Sequence, residues 1–186
     1  MPRRNTVVAT ALILGALGVR PATSAAQGAA AAQAPASNAP LPVVYLLATG
    51  GTITSRGATS TSLTDYGGGT KPLTGEELVA AVPELTRVAR VVVEQVANVP
   101  SSDITGQLWL RLAKRVDEIF RTDAAAAGVV VTHGTDTLEE TAYFLNLTVR
   151  HDRPVVLVGS MRPATAISAD GPINLLNAVR TAISPD

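Results

Sequence analysis

Between residues 128 and 149 the chain passes from an apolar run to a polar turn and then to a helical pattern. Residues 129–131 are all valine, without polar alternation, which is typical of a strand covered on both faces in a parallel sheet. The turn therefore follows the carboxyl end of a strand and precedes a helix, where open α/β sheets bind ligands and free N–H groups favour anions. An alternative is that Thr135 or Asp136 only caps the helix. After the turn, apolar residues recur at helical spacing at Leu138, Ala142, Leu145 and Val149.

Apolar runs and helical patterns alternate along the rest of the chain as well. The predicted strands are residues 43–48, 90–96, 129–132 and 154–158. The predicted helices are residues 74–82, a segment with a stripe of Ile104, Leu108, Leu112, Val116 and Phe120, the segment from Leu138, and a last segment beginning near Gly171 or Pro172. This alternation predicts an α/β fold, a mostly parallel sheet with helices on both faces.

Each predicted strand ends in small hydroxyl, amide or charged residues. These clusters are residues 49–52, 101–103, 135–136 and 160–162. Because parallel strands place their carboxyl ends on one edge of the sheet, we expect the clusters to converge on one crevice and form a ligand site. The long Ser/Thr/Gly-rich segment 55–71 is predicted to be a functional loop or lid.

The amino terminus has the pattern of a secretory signal peptide. Arg3 and Arg4 precede an apolar run at residues 6–19, and small residues follow at 22–26. The run is short for a bilayer span, which takes about 20 residues, so we expect no stable membrane insertion; an uncleaved anchor is the alternative. Residues 1–26 thus predict a periplasmic or secreted protein.

Two further segments complete the predicted organisation. Residues 27–42 are rich in Ala, Gln and Pro without periodicity, which indicates a flexible linker. Residues 43–186 are long enough for one folded domain.

The amino-acid composition excludes several types of binding and catalytic site. The chain has no cysteine, a formal net charge of zero and 3% aromatic residues, so disulfides, thiolate metal sites and nucleic-acid binding are not expected. No phosphate-loop or GxSxG motif occurs, and we expect no cofactor or metal. Of the two histidines, His133 could serve a Ser-His-Asp arrangement or be structural, and His151 is predicted at the surface. A Thr or Ser on a glycine turn remains as candidate nucleophile, given a base and N–H donors for an oxyanion.

Three sequence motifs resemble those of a known protein family. They are the segments 48–53 (ATGGTI), 133–142 (HGTDTLEETA) and 159–163 (GSMRP) with 168–172 (SADGP). In this order they closely resemble bacterial type II L-asparaginases of the asparaginase/glutaminase family, and the resemblance covers nearly all of residues 43–186. It implies a threonine-nucleophile amidohydrolase that releases ammonia from L-asparagine, with L-glutamine as a further candidate substrate.

The resemblance also implies roles for single residues. Thr52 matches the nucleophile that forms the acyl-enzyme, and Tyr66 matches a lid tyrosine that positions or activates it. Thr135 matches the second catalytic threonine, Asp136 the group that binds the α-amino group, and Ser101 the group that holds the α-carboxylate. These roles suit a zwitterionic substrate, which needs an anion for its ammonium and donors for its carboxylate.

Gly51 and Ser102 complete the implied substrate-binding set. Many relatives have Gln where this chain has Ser102, which leaves the preference between asparagine and glutamine open. Alternatives remain for the individual residues: Thr52 as a turn residue, Tyr66 as an exposed loop aromatic, and Ser101 or Asp103 as a helix cap.

The chain differs from the family pattern most in length. Its only lysines, Lys71 and Lys114, do not match the family's catalytic lysine, and the smaller C-terminal domain, which completes the site in a homotetramer, has no counterpart. We therefore expect residues 43–186 to be an incomplete N-terminal asparaginase domain, with little activity and poor solubility by itself. The alternatives are a non-catalytic domain that binds a small amino acid, a glutaminase-asparaginase, and an unrelated nucleotide-binding domain, whose glycine spacing is missing.

Overall fold

A computed structural model describes residues 40–66 and 70–184 of the chain. The predicted signal peptide and most of the predicted linker lie outside the described residues. The strands are β1 (Val43–Gly50), β2 (Arg90–Val99), β3 (Ala126–Thr132) and β4 (Val155–Val158). The helices are α1 (Gly75–Ala80), α2 (Gly106–Thr122), α3 (Leu138–Thr148) and α4 (Gly171–Ala182). Short 3-10 turns occur at Thr52–Thr54, Pro83–Arg87 and Ser101–Asp103.

The four strands form one parallel sheet in the order β2-β1-β3-β4. In its centre Leu46 of β1 lies between Val93 of β2 and Val130 of β3. Both central strands are almost wholly buried, as expected for apolar runs without polar alternation. The predicted α/β class and parallel sheet are confirmed.

Helices cover both faces of the sheet, as predicted. Because successive strand residues point to opposite faces, β1 contributes Leu46 to one core and Leu47 to the other. The first core packs the sheet against α1 and α4, and the second packs it against α2 and α3. The two cores hold the carboxyl ends of the strands at one edge of the domain.

The helix starts overturn one of the alternatives that the sequence left open. The α1 helix begins after Thr74, which forms a reciprocal capping box with Glu77. The α2 helix is capped by Thr105, whose hydroxyl accepts the Leu108 N–H at 3.3 Å. The alternative that Ser101 or Asp103 caps this helix is wrong, because both lie in a separate 3-10 turn and Ile104 precedes the helix.

Within residues 40–66 and 70–184, none of the helices combines the length and the apolar character that crossing a membrane requires.

Candidate active site

A cavity of about 300 Å³ lies at the carboxyl edge of the sheet. Segments that follow all four strands contribute to its wall. Five of the predicted site residues, in addition to Gly51, line it: Thr52, Tyr66, Ser101, Thr135 and Asp136. The residues that the sequence placed at separate strand ends therefore surround one space.

A larger groove, of about 560 Å³, runs along β2 and α2. Its two carboxylates are already paired with Arg115, which bonds both carboxylate oxygens of Glu94 at 2.6 and 2.7 Å and Glu118 at 2.8 Å. This pairing leaves the 300 Å³ cavity as the better candidate site.

Two glycines shape the turn after β1. Gly50 and Gly51 have φ angles of 106° and 87°, in the region that side chains rarely adopt. A Cβ on Gly51 would collide with the backbone of Gly134, the residue after His133. Because Gly51 and Gly134 lie so close together, the residues that follow them, Thr52 and Thr135, line the same cavity.

The 3-10 turn at Thr52–Thr54 is held by the hydroxyls that come after Thr52. Thr54 Oγ1 donates to the Gly51 carbonyl at 2.9 Å, and Ser55 Oγ donates to the Thr52 carbonyl at 2.9 Å. Both side chains are buried, whereas Thr52 is half-buried and lines the cavity. Within residues 40–66 and 70–184 the Thr52 hydroxyl has no hydrogen-bond partner. Thr52 is thus a turn residue whose hydroxyl is available to a ligand.

Ser101 joins the ends of β2 and β3. Its Oγ accepts the Asp136 N–H at 3.2 Å, and its carbonyl accepts the Thr137 hydroxyl at 2.9 Å. The side chain is buried, and a Cβ on Gly134 would come within 2.7 Å of its Oγ. A hydroxyl that accepts one hydrogen bond still has its own proton to donate, so Ser101 can bind an anionic group.

The polar turn after β3 presents Thr135 and Asp136 to the cavity. The residue at the amino cap of α3 is Thr137, and it makes no side-chain capping bond. The alternative that Thr135 or Asp136 only caps the helix is therefore wrong. In the described part of the chain neither side chain has a hydrogen-bond partner, so a hydroxyl and a carboxylate face the ligand space together.

Tyr66 and Ser102 differ in their placement. Tyr66 is 47% exposed, lines the cavity, and donates its hydroxyl to the Met161 carbonyl at 3.2 Å. Ser102 is exposed and lies outside the cavity wall, with its Oγ 3.4 Å from Asp103 Oδ1. The structure therefore brings Tyr66 to the site and does not bring Ser102 there.

Both histidines are structural in this fold. His133 is fully buried, and burial lowers its pKa although its bond to the Gly134 carbonyl and the charge of Glu140 raise it. A buried neutral ring outside the cavity wall does not suit a Ser-His-Asp arrangement. His151, which we expected at the surface, is half-buried with its ring edge against Phe120, 5.5 Å between centroids.

Comparison with known proteins agrees with this geometry. Residues 43–186 match the family model described as the asparaginase N-terminal domain. The chain belongs to the asparaginase family. It is 55% identical over 146 residues to the L-asparaginase 2 of Bacillus subtilis (strain 168), an alignment that covers 78% of this chain and 38% of that protein.

Two further comparisons extend the match. A Haemophilus influenzae protein named "Probable L-asparaginase periplasmic" is 49% identical over 145 residues, covering 77% of this chain and 40% of that one. The crystal structure of a probable cytoplasmic L-asparaginase from Campylobacter jejuni aligns with a TM-score of 0.71 and 47% identity, over 77% of this chain and 42% of that one. Other relatives are named glutaminase-asparaginase. The chain thus spans about two fifths of the length of these asparaginases.

The cavity also includes residues that the sequence patterns did not assign to the site. Asn98, half-buried at the end of β2, accepts from Thr54 Oγ1 at 3.3 Å and donates to the Leu73 carbonyl at 3.0 Å. Met161 closes the side reached by Tyr66. The sequence could have indicated Asn98, because its amide stands at the end of a predicted strand. Nothing in the local sequence indicated which of Thr52 and Thr54 has a free hydroxyl.

One further residue organises the wall without lining it. Asp170 accepts the N–H groups of Met161 and Arg162, both at 2.9 Å. Burial raises its pKa, but these bonds and the Asn174 amide outweigh burial and lower it. In the described residues no group of three or more His, Cys, Asp or Glu is placed to hold a metal ion.

Proposed function

We propose that the whole protein hydrolyses L-asparagine to L-aspartate and ammonia, with Thr52 as nucleophile. The observation that supports this most directly is the pairing of two glycine turns, which puts the unpartnered hydroxyls of Thr52 and Thr135 into one cavity beside the Asp136 carboxylate. The asparaginase names of the relatives favour the same reaction.

Substrate recognition follows from the charges of an amino acid. The Asp136 carboxylate would bind the α-ammonium group, and the Ser101 hydroxyl would donate to the α-carboxylate. Gly51 lets the backbone approach the substrate closely, since no side chain intervenes. An amide that lacks either charge forgoes the bond to Ser101 or to Asp136, which gives the site a means of rejecting it.

The reaction proceeds in two displacements. In the first, Thr52 Oγ1 gives up its proton and attacks the side-chain amide carbon, and a tetrahedral oxyanion forms that N–H donors stabilise. The C–N bond then breaks, the amide nitrogen takes up the proton that Thr52 Oγ1 lost and leaves as ammonia, and an ester joins Thr52 to the acyl group. In the second, water activated near Thr135 attacks this ester and releases L-aspartate and the Thr52 hydroxyl. Tyr66 would position or activate Thr52 from the lid.

The test measures ammonia release from L-asparagine. The proteins are the 186-residue chain and a chimera in which residues 43–186 replace the matching segment of the Bacillus subtilis relative. In the chimera we expect Thr52→Ala to lower kcat at least about 1,000-fold. The matched control is Thr122→Ala, at the far end of α2, whose hydroxyl bonds the Glu118 carbonyl and no other group in the described residues. An active chimera that keeps its rate after Thr52→Ala would refute the nucleophile assignment.

L-Glutamine is proposed as a second substrate. Two relatives, 48% and 49% identical to this chain, are named glutaminase-asparaginase. With Ser102 turned away from the cavity, that position adds no side chain to the wall. The same assay with L-glutamine gives the ratio of kcat/KM values, and a ratio below detection would argue against it.

Export and assembly are separate proposals. We propose that residues 1–26 are removed as a signal peptide, supported by their charge and hydropathy pattern and by the periplasmic name of one relative. The mass of the mature protein tests this. We also propose that the whole protein is a homotetramer, on the family resemblance alone, and analytical ultracentrifugation tests that.

A further inference from the structure

A hydrogen-bonded chain connects α2 and α3 with the turn that bears Thr135. Trp109 Nε1 donates to Thr141 Oγ1 at 2.7 Å, and Thr141 Oγ1 lies 2.8 Å from His133 Nε2. His133 Nδ1 lies 2.7 Å from the Gly134 carbonyl oxygen. Thr141 and His133 are fully buried, so water does not compete for these bonds.

The chemistry of the partners fixes the direction of each bond. A carbonyl oxygen only accepts, so His133 Nδ1 must be the protonated ring nitrogen. The ring is neutral, because burial lowers the pKa of His133, so Nε2 has a lone pair and accepts the Thr141 hydroxyl proton. The same hydroxyl oxygen accepts from the indole N–H of Trp109. The Thr141 hydroxyl also lies 3.3 Å from the Thr137 carbonyl, but its one proton goes to the nearer acceptor, His133 Nε2 at 2.8 Å.

Thr141 does not behave like an ordinary helix threonine. Its hydroxyl is 3.3 Å from the carbonyl one turn back, that of Thr137, and 2.8 Å from His133 Nε2. Thr148 is also a threonine of α3, two turns further along the helix, and its hydroxyl makes the usual bond to the Phe144 carbonyl at 2.8 Å. The indole of Trp109 is kept in place by stacking on Phe144, 5.3 Å between centroids and 22° between planes.

The last bond of the chain orients a peptide of the site. The Gly134 carbonyl and the Thr135 N–H belong to one planar trans peptide and point in opposite directions. Holding the carbonyl oxygen toward His133 directs the Thr135 N–H away from His133. Gly134 and Thr135 line the cavity, whereas His133 does not.

We propose that Trp109 and Thr141 are positioning residues, which hold His133 in its Nδ1–H form and thereby direct the Thr135 N–H into the cavity. The inference rests on the proposed function only for what this N–H does there, which is to donate to the substrate's reacting amide. The positioning itself is a property of the chain and is measurable without substrate.

The first experiment is NMR of the 186-residue chain at pH 7.5. The chain has one tryptophan and two histidines, so the indole signal is unique and a His151→Gln variant identifies the His133 ring. We expect His133 protonated at Nδ1 only. Thr141→Val should shift the indole N–H, the His133 ring nitrogens and the Thr135 amide nitrogen, and Thr141→Ser should restore all of them.

Two variants separate positioning from a general effect on the fold. Thr148→Val removes the same hydroxyl from the same helix and should leave these signals in place. Trp109→Phe keeps a ring on Phe144 but removes the donor, so it should shift the His133 ring signals without altering α3. A His133 ring protonated at Nε2, or unchanged signals in Thr141→Val and Trp109→Phe, would overturn the proposal.

The second experiment uses the Bacillus subtilis chimera. Thr141→Val should lower kcat roughly 10- to 100-fold with KM changed less than about threefold, because a misdirected donor weakens the transition state more than ground-state binding. Thr141→Ser should recover most of the rate, and an undiminished kcat in Thr141→Val would contradict the role of the N–H. A chimera without any activity would refute the proposed function, and the NMR result would still decide the positioning.

Discussion

Replacing Gly51 by alanine tests the close approach on which the whole site depends. Gly51 has φ 87° and ψ −174°, a conformation that is essentially restricted to glycine and costs about 1–3 kcal/mol for other residues. The added Cβ would also collide with the backbone of Gly134, which cannot rotate away as a side chain would. We therefore expect Gly51→Ala to lower the free energy of unfolding by at least about 2 kcal/mol, a large part of the stability of a typical domain.

Urea denaturation followed by circular dichroism measures this loss, and thermal melting should show a Tm lower by about 4–8 °C. The matched control is Gly106→Ala, at the first position of α2, where an added Cβ meets no atom within 4 Å. Alanine there should stabilise the protein by about 0.4–1 kcal/mol. If Gly51→Ala and Gly106→Ala had the same unfolding free energy, the strained turn and the contact with Gly134 would both be wrong.

Three further predictions concern groups around the cavity. The pKa of His133 is lowered in the folded state, so the unfolded chain takes up a proton first as the pH falls. The contribution of His133 to the unfolding free energy should therefore decrease below about pH 6.5 and be constant above it. Urea titrations at pH 7.5 and 5.5 check this, and His133→Gln should reduce the difference between the two pH values. Asp170→Asn should lower the unfolding free energy by about 1–3 kcal/mol at pH 7 and leave it unchanged below the folded-state pKa of Asp170. The reason is that this pKa is lowered, so the stabilisation by the carboxylate is present above about pH 4 and lost in acid. Equal stabilities of variant and parent at pH 7 would contradict this. Thr54→Val should cost about 1–3 kcal/mol, since it removes the hydroxyl's bonds to the Gly51 carbonyl and to Asn98 Oδ1. Thr86→Val, which removes an exposed hydroxyl on a 3-10 turn, should stay within about 0.5 kcal/mol.

Local patterns were sufficient for the elements and for the edge of the sheet at which the cavity lies. The valine run at residues 129–131 required a covered strand, and strand–helix alternation required a parallel sheet, because the backbone groups of a buried strand must be paired by neighbours. Parallel strands share their carboxyl edge, so the strand-end positions of Thr52, Ser101 and Thr135 implied one site before any contact was known. These conclusions depend on residues a few positions apart, which sequence periodicity records.

Decisions between adjacent residues needed the tertiary structure. Thr52 and Thr54 are alike in sequence, yet one faces the cavity and the other bonds Gly51 and Asn98. Ser101 is buried beside Asp136, while Ser102 points to solvent. In each pair the direction of the side chain depends on a partner more than 30 residues away or on the twist of a 3-10 turn. Neither factor produces a periodic pattern in the sequence.

The chain from Trp109 through Thr141 to His133 shows the same division most clearly. The sequence determined that His133 precedes a glycine turn and that Thr141 lies one helical turn into α3. Only the packing of α2 beside α3 brought an indole donor to Thr141, and only the turn after β3 brought the Gly134 carbonyl to His133 Nδ1. Hydrogen-bond direction is a property of the assembled network, because a hydroxyl or an imidazole can donate or accept until its neighbours are in place.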